Sequence, residues 1–487
     1  MAGNGRKGLS IYVGFIVFLI AYASIVTFMP ADLLRDPDTF WHVRTGQWIL
    51  QHLEFPESDS FSYTFFGKPW IAKEWLSQLL LALAFQIGGW PGIVILTGAT
   101  CAAIAAILTY YLMLALRFSA ALGLAAITFT LLSPHLLARP HIFAYLILCF
   151  WLFSIFQAYD RNRPPPFALA PLMIVWANIH STFILGLFLY YIVAGFSGLR
   201  QMRLRNVKDL KLTVFVTILV TLSALMTPYG IFSFTPTWTI MGMQMLARIQ
   251  EWQPPNFRQS PIHLAYLVSL FALMTAFGIK LQGPRIAILM AVVWLGFSYL
   301  RGFMIFLLTI PFVFGRPAGE QVAFLKPQNP DLSADTDPVL CSLRQNARSI
   351  AVVCVMAALA ASFFTFRYAD VEPPRSAAPR DAIDYVKRAQ ISGRVFNDYD
   401  FGGYLIFSWI PTFIDGRTEL YGDAFLRKYF DIIGSGDLRG AFRLLDEYGI
   451  DWVILKPAIP LAKALQGSEI WSNVYSDDTA TIFVRRH

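Results

Sequence analysis

Long uninterrupted apolar runs constrain this chain more than any other feature. Stretches near 10–30, 74–89, 92–116, 118–134, 141–158, 167–197, 211–228, 262–278, 284–300, 302–315 and 349–366 are nearly free of charge. A run of about 20 apolar residues is what a helix needs to cross a bilayer, and the pattern predicts about eleven spans. Of the 487 residues, 56% are hydrophobic and 14% charged, against roughly a quarter charged in soluble domains. The formal charge of +8 does not indicate nucleic-acid binding, because the bases are spread over short loops beside apolar runs. The fold class is therefore a polytopic α-helical membrane protein.

The basic residues also orient it. Arg200, Arg203, Arg205, Lys208 and Lys211 form the densest cluster, and Lys280, Arg285, Arg316, Lys326, Arg344 and Arg348 line loops of matching parity. The positive-inside rule puts these loops and the N-terminus in the cytoplasm. Arg6 and Lys7 precede a first run longer than a signal-peptide core, which reads as an uncleaved helix. An odd number of spans then places the C-terminal segment outside. Arg139, between Pro134 and Pro140, comes out cytoplasmic by the same count. The 167–197 run is longer than a bilayer requires and carries Asn178-Ile179-His180-Ser181 in its middle, so it is one broken helix or two short ones.

The expected organisation is a membrane domain over 1–370, with outside loops at 31–73 and 228–261 and a cytoplasmic loop at 316–348. A soluble α/β domain over 371–487 follows Pro373-Pro374. In that domain the pattern predicts helices over Asp381–Arg388 and Leu438–Tyr448. It predicts strands at Val395–Asn397, Phe413–Ile414, Trp452–Leu455 and Thr481–Val484. In the first loop, Thr39 to His52 has the pattern of an amphipathic helix lying in the membrane interface, and Phe61–Thr64 that of an extended stretch. A second interfacial helix is expected around Ile240–Leu246. Cys101, Cys149 and Cys354 sit in apolar runs and Cys341 in a basic loop, which gives no disulfide framework and no metal-type spacing.

Candidate chemistry concentrates where the chain leaves its first span. Arg35, Asp36, Asp38, His42 and Arg44 fall within ten residues. Carboxylates beside lipid are costly unless chemistry uses them. One could act as general base toward a hydroxyl or orient a divalent cation, and spacing does not choose between these. Glu74 and Glu251 stand at span ends on the same side as possible acid–base or acceptor-binding partners. Arg301, between two closely spaced spans on that side, suits bidentate binding of a lipid phosphate, with Arg44 a second candidate. His180, Asp415 and Arg417 are possible cavity-lining residues.

Asp36-Pro37-Asp38-Thr39-Phe40-Trp41-His42 with Gly46, Pro56, Asp59-Ser60-Phe61-Ser62-Tyr63-Thr64, Pro69-Trp70 and Glu74-Trp75 resembles the first outside loop of bacterial GT-C glycosyltransferases. These are distantly similar to protein O-mannosyltransferases and aminoarabinose transferases. Trp176–His180, Glu251-Trp252, Gly402-Gly403-Tyr404-Leu405 and Phe413–Thr418 with Tyr421-Gly422 extend the likeness over most of the chain. The resemblance implies a multi-span enzyme of the bacterial inner membrane. It would take a sugar from a polyprenyl-phosphate donor to a glycan, lipid or protein acceptor on the outer face. The family's catalytic acid would be Asp36 or Asp38. No second Asp-x-Asp appears in the following outside loops, and a divalent cation is left open. The competing classes are a lipid or glycolipid flippase and a non-catalytic envelope-assembly protein. Against a flippase, the sequence has no internal repeat and its charges gather on one face.

Overall fold

The computed structural model describes residues 2–326, 342–343, 345–368, 370–435 and 438–486. Cys341, Arg344 and residues 327–340 of the expected loop 316–348 lie outside the described residues. The chain is a polytopic helical membrane protein with a small C-terminal sheet. Every expected apolar run is helical. Among the described residues, seven helices are long and apolar enough to cross a membrane: Gly8–Phe28, Trp75–Met113, Phe118–His135, Pro140–Asp160, Phe183–Arg203, Leu300–Gln321 and Ala347–Arg367. Leu169–Ile179, Pro261–Ala276 and Gly283–Ser298 are shorter apolar helices.

The residues divide into two compact units that do not follow chain order. One is helical and comprises Met1–Pro30, Val94–Thr227 and Ala247–Asp370. The other joins Ala31–Ile93 and Pro228–Leu246 to Val371–His487.

Contacts within the helical unit define two ends. At the first, Thr365 Oγ1 donates to the Val26 carbonyl at 3.3 Å, and Gly98 lies so close to Val26 that a Cβ there would sit 2.7 Å from its methyl group. Arg139, Glu251 and Arg301 meet at this end, as described below. At the second end, the Arg117 amide donates to the Leu325 carbonyl and Arg200 to the Tyr159 carbonyl. Arg285 grips Asp160 with both terminal nitrogens at 2.7 and 2.8 Å, and Arg316 adds a contact at 3.1 Å.

Two expected spans are corrected by these contacts. The run 74–89 does not make a crossing of its own. The Trp75–Met113 helix leaves helical geometry at Gly88 and Gly89, where Gly89 has φ 59°, and the part before the break belongs to the other unit. The part after it starts at the end where the first helix finishes. The run 167–197 is two helices, Leu169–Ile179 and Phe183–Arg203, separated at His180, which is extended at φ −165°. Trp176 stacks into the notch at Gly186, where a Cβ would lie 2.3 Å from its ring, and its indole donates to Thr182. The two differences cancel in the crossing count. They exchange the ends of the connections around Arg117, Arg139 and Arg161–Arg163, which is why parity counting misplaced Arg139.

In the second unit, β1 (Val395–Asn397), β2 (Trp452–Leu455), β3 (Trp471–Ser476) and β4 (Thr481–Arg485) form a sheet in the order β1-β2-β4-β3. β1 and β2 are parallel, and β4 runs antiparallel to both β2 and β3. Side chains alternate with period two. Val395, Trp452, Ile454 and Ile482 pack on the helix Arg380–Arg388, while Phe396, Val453, Leu455 and Phe483 enter a larger core with Leu444, Leu461 and Tyr429.

The expected strand at Phe413–Ile414 is not one. The Asn397 amide replaces a ladder partner there, accepting from the Phe413 N–H at 2.9 Å and donating to the Ile414 carbonyl at 2.8 Å. The extended stretch does form, with Ser62 bridging Thr412 in parallel. The helix Asp38–His52 is where the sequence placed it, but it does not lie in an interface. Thr39 through Gly46 are all buried, because its polar side is covered by the helix Gly402–Phe407. The helix expected around Ile240–Leu246 is displaced: the helix there is Thr235–Gly242, with Trp238 and Met241 exposed, Met243 is extended, and Met245–Arg248 is a short 3-10 turn.

Candidate active site

Asp36 and Asp38 do different work at the start of the Asp38–His52 helix. Asp36 is buried, and its Oδ1 accepts the Asp38 amide at 2.9 Å, fixing the turn that starts the helix. Asp38 is half-buried, with Oδ1 accepting from the Trp41 indole at 3.0 Å. Two backbone segments close on this turn. A Cβ on Gly416 would lie 2.1 Å from Asp38 Oδ1, and one on Gly403 would lie 2.2 Å from the Pro37 carbonyl. Gly403 and Gly416 are thus glycines because the carboxylate loop presses on them, while Gly402 makes room for Ile414 and Asp415.

His42 stands one helical turn beyond Asp38, buried beneath the Trp41 ring. Its Nε2 is 3.8 Å from Glu74 Oε2, and Gln78 Nε2 is 3.3 Å from its Nδ1. His42 and Glu74 thus stand beside each other, and Asp36 and Asp38 lie at the start of the helix that carries His42. Tyr399 joins this group. Its hydroxyl is 2.9 Å from Thr418 Oγ1, which in turn donates to the Gly416 carbonyl, and burial together with the Asp38 charge pushes the phenol well above its usual range. Tyr399 carries no signal in the sequence beyond lying in Asp398-Tyr399-Asp400. Of those two acids, Asp398 is pushed up to about 6 by burial, which the nearby Lys456 only partly offsets.

Three expected site residues have other roles. Arg44 is not poised for a phosphate. It donates to Gln47 Oε1 at 2.8 Å and to the Phe407 carbonyl, and it stacks 3.8 Å from the centre of the Trp409 ring. Burial lowers it to about 10, so it remains charged near neutral pH. Asp415 and Arg417 line no cavity, since both side chains are fully buried. Arg417 holds Asp415 at 2.7 Å and Asp59 at 2.5 Å, and the Tyr421 hydroxyl donates to Asp415 at 2.5 Å. Burial raises the Asp415 pKa, but Arg417 outweighs it and holds the carboxyl below its usual range. This knot ties the first loop to the C-terminal domain.

In the helical unit, Glu251 accepts from Arg139 Nη1 through Oε1 at 2.9 Å and from Arg301 Nη2 through Oε2. Trp252 covers the Arg301 guanidinium, and the Leu300 amide donates to the Gln253 carbonyl. Burial pushes the Glu251 carboxyl up, and the two arginines more than reverse it, holding it far below its usual range. His180 closes the break between its two helices, with Nδ1 receiving the Thr182 amide. Among the described residues no three His, Cys, Asp or Glu side chains converge as a metal ion would require.

No protein-family model and no curated protein matches the chain. Among solved structures it is similar to ArnT from Cupriavidus metallidurans. With undecaprenyl phosphate bound, the identity is 13% over 96% of this chain and 98% of that chain, at a TM-score of 0.47. In the apo state the identity is 14% over 97% and 98%, at 0.46. It is also similar to the archaeal oligosaccharyltransferase AglB from Archaeoglobus fulgidus, in complex with an inhibitory peptide and a dolichol-phosphate. There the identity is 10%, covering 91% of this chain and 69% of that chain, at a TM-score of 0.50. The chain shares its fold with AglB, which agrees with the multi-span helical fold expected from the sequence.

Proposed function

We propose that the protein is an integral-membrane glycosyltransferase of the bacterial inner membrane. It transfers a sugar from a polyprenyl-phosphate donor to a hydroxyl of a cell-envelope acceptor on the outer face. The observation that carries this reading is the Asp38 carboxylate, oriented by Trp41 and given room by Gly416, in a chain with the fold of AglB. The AglB structure holds a dolichol-phosphate, which supports a lipid-linked phosphate as the donor's carrier.

In this reading Asp38 is the general base and Asp36 positions it, because Asp36 is buried and committed to the turn. Asp38 takes the acceptor hydroxyl proton as the acceptor oxygen bonds to the anomeric carbon. The bond from that carbon to the phosphate oxygen breaks, and the polyprenyl phosphate leaves with the electron pair on the opposite face, inverting the centre. A guanidinium is the group suited to receive the developing phosphate charge, and Arg301 is the candidate proposed for it. The helical unit's second end, which carries Arg117, Arg161, Arg163, Arg200, Arg203, Arg205 and Arg285, faces the cytoplasm by the positive-inside rule. Its first end then faces out, and the grouping of 31–93 with 371–487 supports a C-terminal domain on the same side as Asp38.

Purified protein supplied with labelled polyprenyl-phosphate sugars tests the reading. Asp38→Asn is expected to lower transfer by about 100-fold or more, as loss of a general base does. Asp36→Asn is expected to cost less and to lower stability as well. Full transfer by Asp38→Asn would overturn the assignment of the base. Lipid translocation with no glycosidic product would favour the flippase class instead.

A further inference from the structure

The helical unit holds a cavity of about 480 Å³, and no residue proposed for the transfer lines it. Ile16 and Ile20 of the first span form one wall, Leu122 and Ala126 of the helix Phe118–Leu132 the other, and the buried Ala105 and Thr109 the floor. Ile20, Leu122 and Ala126 are exposed, so the cavity is a groove open along its side. On the first span its lining runs from Tyr12 to Ala21, which at 1.5 Å per residue is about 14 Å. That is close to half of a hydrocarbon core of about 30 Å. The Thr109 hydroxyl donates to the Ala105 carbonyl at 2.8 Å, so the floor offers hydrocarbon and no spare donor. The groove begins at the second end of the helical unit. There Tyr12 donates to the Ala347 carbonyl at 2.9 Å, at the start of the last span, and Leu343 completes the lining. Arg117 precedes the lining residue Phe118 and Arg348 follows Ala347, and both are exposed. The described side-chain partners of Arg117 are neutral, Ser119 Oγ at 2.9 Å and the Phe324 carbonyl at 3.4 Å.

We infer that this groove binds an anionic phospholipid of the inner leaflet, with one acyl chain along the first span and the phosphate at Arg117 and Arg348. The leaflet rests on the orientation proposed above; the lipid site does not. Length is the first ground. The groove is one leaflet deep and ends near the bilayer midplane, which suits a chain that enters from this end. A chain hanging from a phosphate at the other end would have to cross the outer half first. Charge is the second ground. A basic side chain beside the membrane surface favours anionic lipid by about fivefold. Phosphatidylglycerol brings one net negative charge to the two guanidiniums, whereas phosphatidylcholine brings an ammonium against them. Inside the bilayer a chain gains nothing by leaving water, so retention depends on close packing against a fitted wall and on the headgroup. Ala21, Ala105 and Ala126 supply the width by being small.

Native mass spectrometry of the full-length protein, released from detergent, counts the lipids it retains as dioleoyl phosphatidylglycerol or dioleoyl phosphatidylcholine is titrated in. The parent is expected to keep one phosphatidylglycerol about tenfold or more tighter than the next one, and tighter than phosphatidylcholine by the same margin. Ala126→Phe puts a ring into the groove and is expected to weaken that first lipid by about tenfold or more. Ile127→Phe, at an exposed neighbour outside the lining, is expected to leave it unchanged. Arg117→Gln and Arg348→Gln are each expected to lower the preference for phosphatidylglycerol by about fivefold with phosphatidylcholine unaffected, which a purely structural role for them would not do. Equal retention of the two lipids by the parent overturns the inference. So does an Ala126→Phe protein that keeps the first lipid, or equal losses in Ala126→Phe and Ile127→Phe. If Ala126→Phe fails to fold, Ala126→Leu fills the groove with a smaller side chain and is read in the same way. Undecaprenyl phosphate that displaces the bound phosphatidylglycerol from the parent also overturns it, because the groove would then hold the donor's tail. Cysteine labelling that put position 162 outside would overturn the orientation and the leaflet with it, whereas the retention ratios test the lipid site in either orientation.

Discussion

Arg417 shows how much the worth of a charge depends on where it sits. Its guanidinium is fully buried between Asp415 and Asp59, and Asp59 also accepts from the Phe61 amide at 2.9 Å and the Ser62 hydroxyl at 2.5 Å. Removing the arginine leaves two carboxylates facing each other out of water. Arg417→Met is expected to cost about 3–5 kcal/mol, whereas Lys428→Met, which breaks an exposed pair with Glu447, should cost less than about 1 kcal/mol. Thermal unfolding of the purified variants compares the two, and equal losses would mean that the buried knot is dispensable. At this scale the sequence was informative about identity and less so about role. Asp36, Asp38, His42 and Glu74 were legible because they crowd one helix start and one span end. Asp415 and Arg417 were noticed, but a local pair two residues apart says nothing about the distant Asp59 that makes it a buried triad. Arg44 was misread for a related reason, since its partners Phe407 and Trp409 lie more than 350 residues away and no pattern near Arg44 announces them.

Elements were read correctly in kind where hydrophobic period decides, and wrongly in setting where packing decides. The Asp38–His52 helix has an apolar side and a polar side, which in isolation suits an interface. What the period does not encode is that Gly46 removes a side chain so that a second helix can close on it. A Cβ at Gly46 would lie 2.0 Å from the Gln78 carbonyl oxygen and 2.7 Å from the Ala82 methyl. Backbone does not yield as a flexible side chain would, so Gly46→Ala must push the two helices apart. We expect a loss of about 1–3 kcal/mol and a fall in transfer activity, because the same helix carries Asp38. Gly195, in the helix Phe183–Arg203, has open space around it, so Gly195→Ala should be neutral or stabilise by up to about 1 kcal/mol. Unfolding midpoints and initial rates for the pair check this, and a harmless Gly46→Ala would mean the close approach does not matter. The same limit explains the missed strand Trp471–Ser476, whose residues are mostly half-exposed and show little apolar alternation.

At the scale of the whole molecule, two errors of opposite sign concealed each other. Counting 74–89 as a crossing and 167–197 as one helix leaves every connection after residue 198 on its correct end, so the basic clusters there gave no warning. The error survives only between them, where it separates Arg139 from Glu251 and Arg301. Side-chain contacts settle the matter in the helical unit: Tyr159 with Arg200, Asp160 with Arg285 and Arg316, and Arg117 with Leu325 share one end, while Arg139 and Glu251 share the other. Hydropathy misses this because a helix packed inside protein and a helix packed in lipid are equally apolar, and a glycine pair such as Gly88-Gly89 can end a span without polar residues. Single cysteines at Asn162, Asn206 and Asn256, in a background with the native cysteines replaced, distinguish the two arrangements. An impermeant thiol reagent applied from outside is expected to label position 256 and to spare 162 and 206 until the membrane is opened. Labelling of 162 with 256 would restore the crossing at 74–89 and the single span at 167–197, and it would be incompatible with the pairing of Arg139 with Glu251.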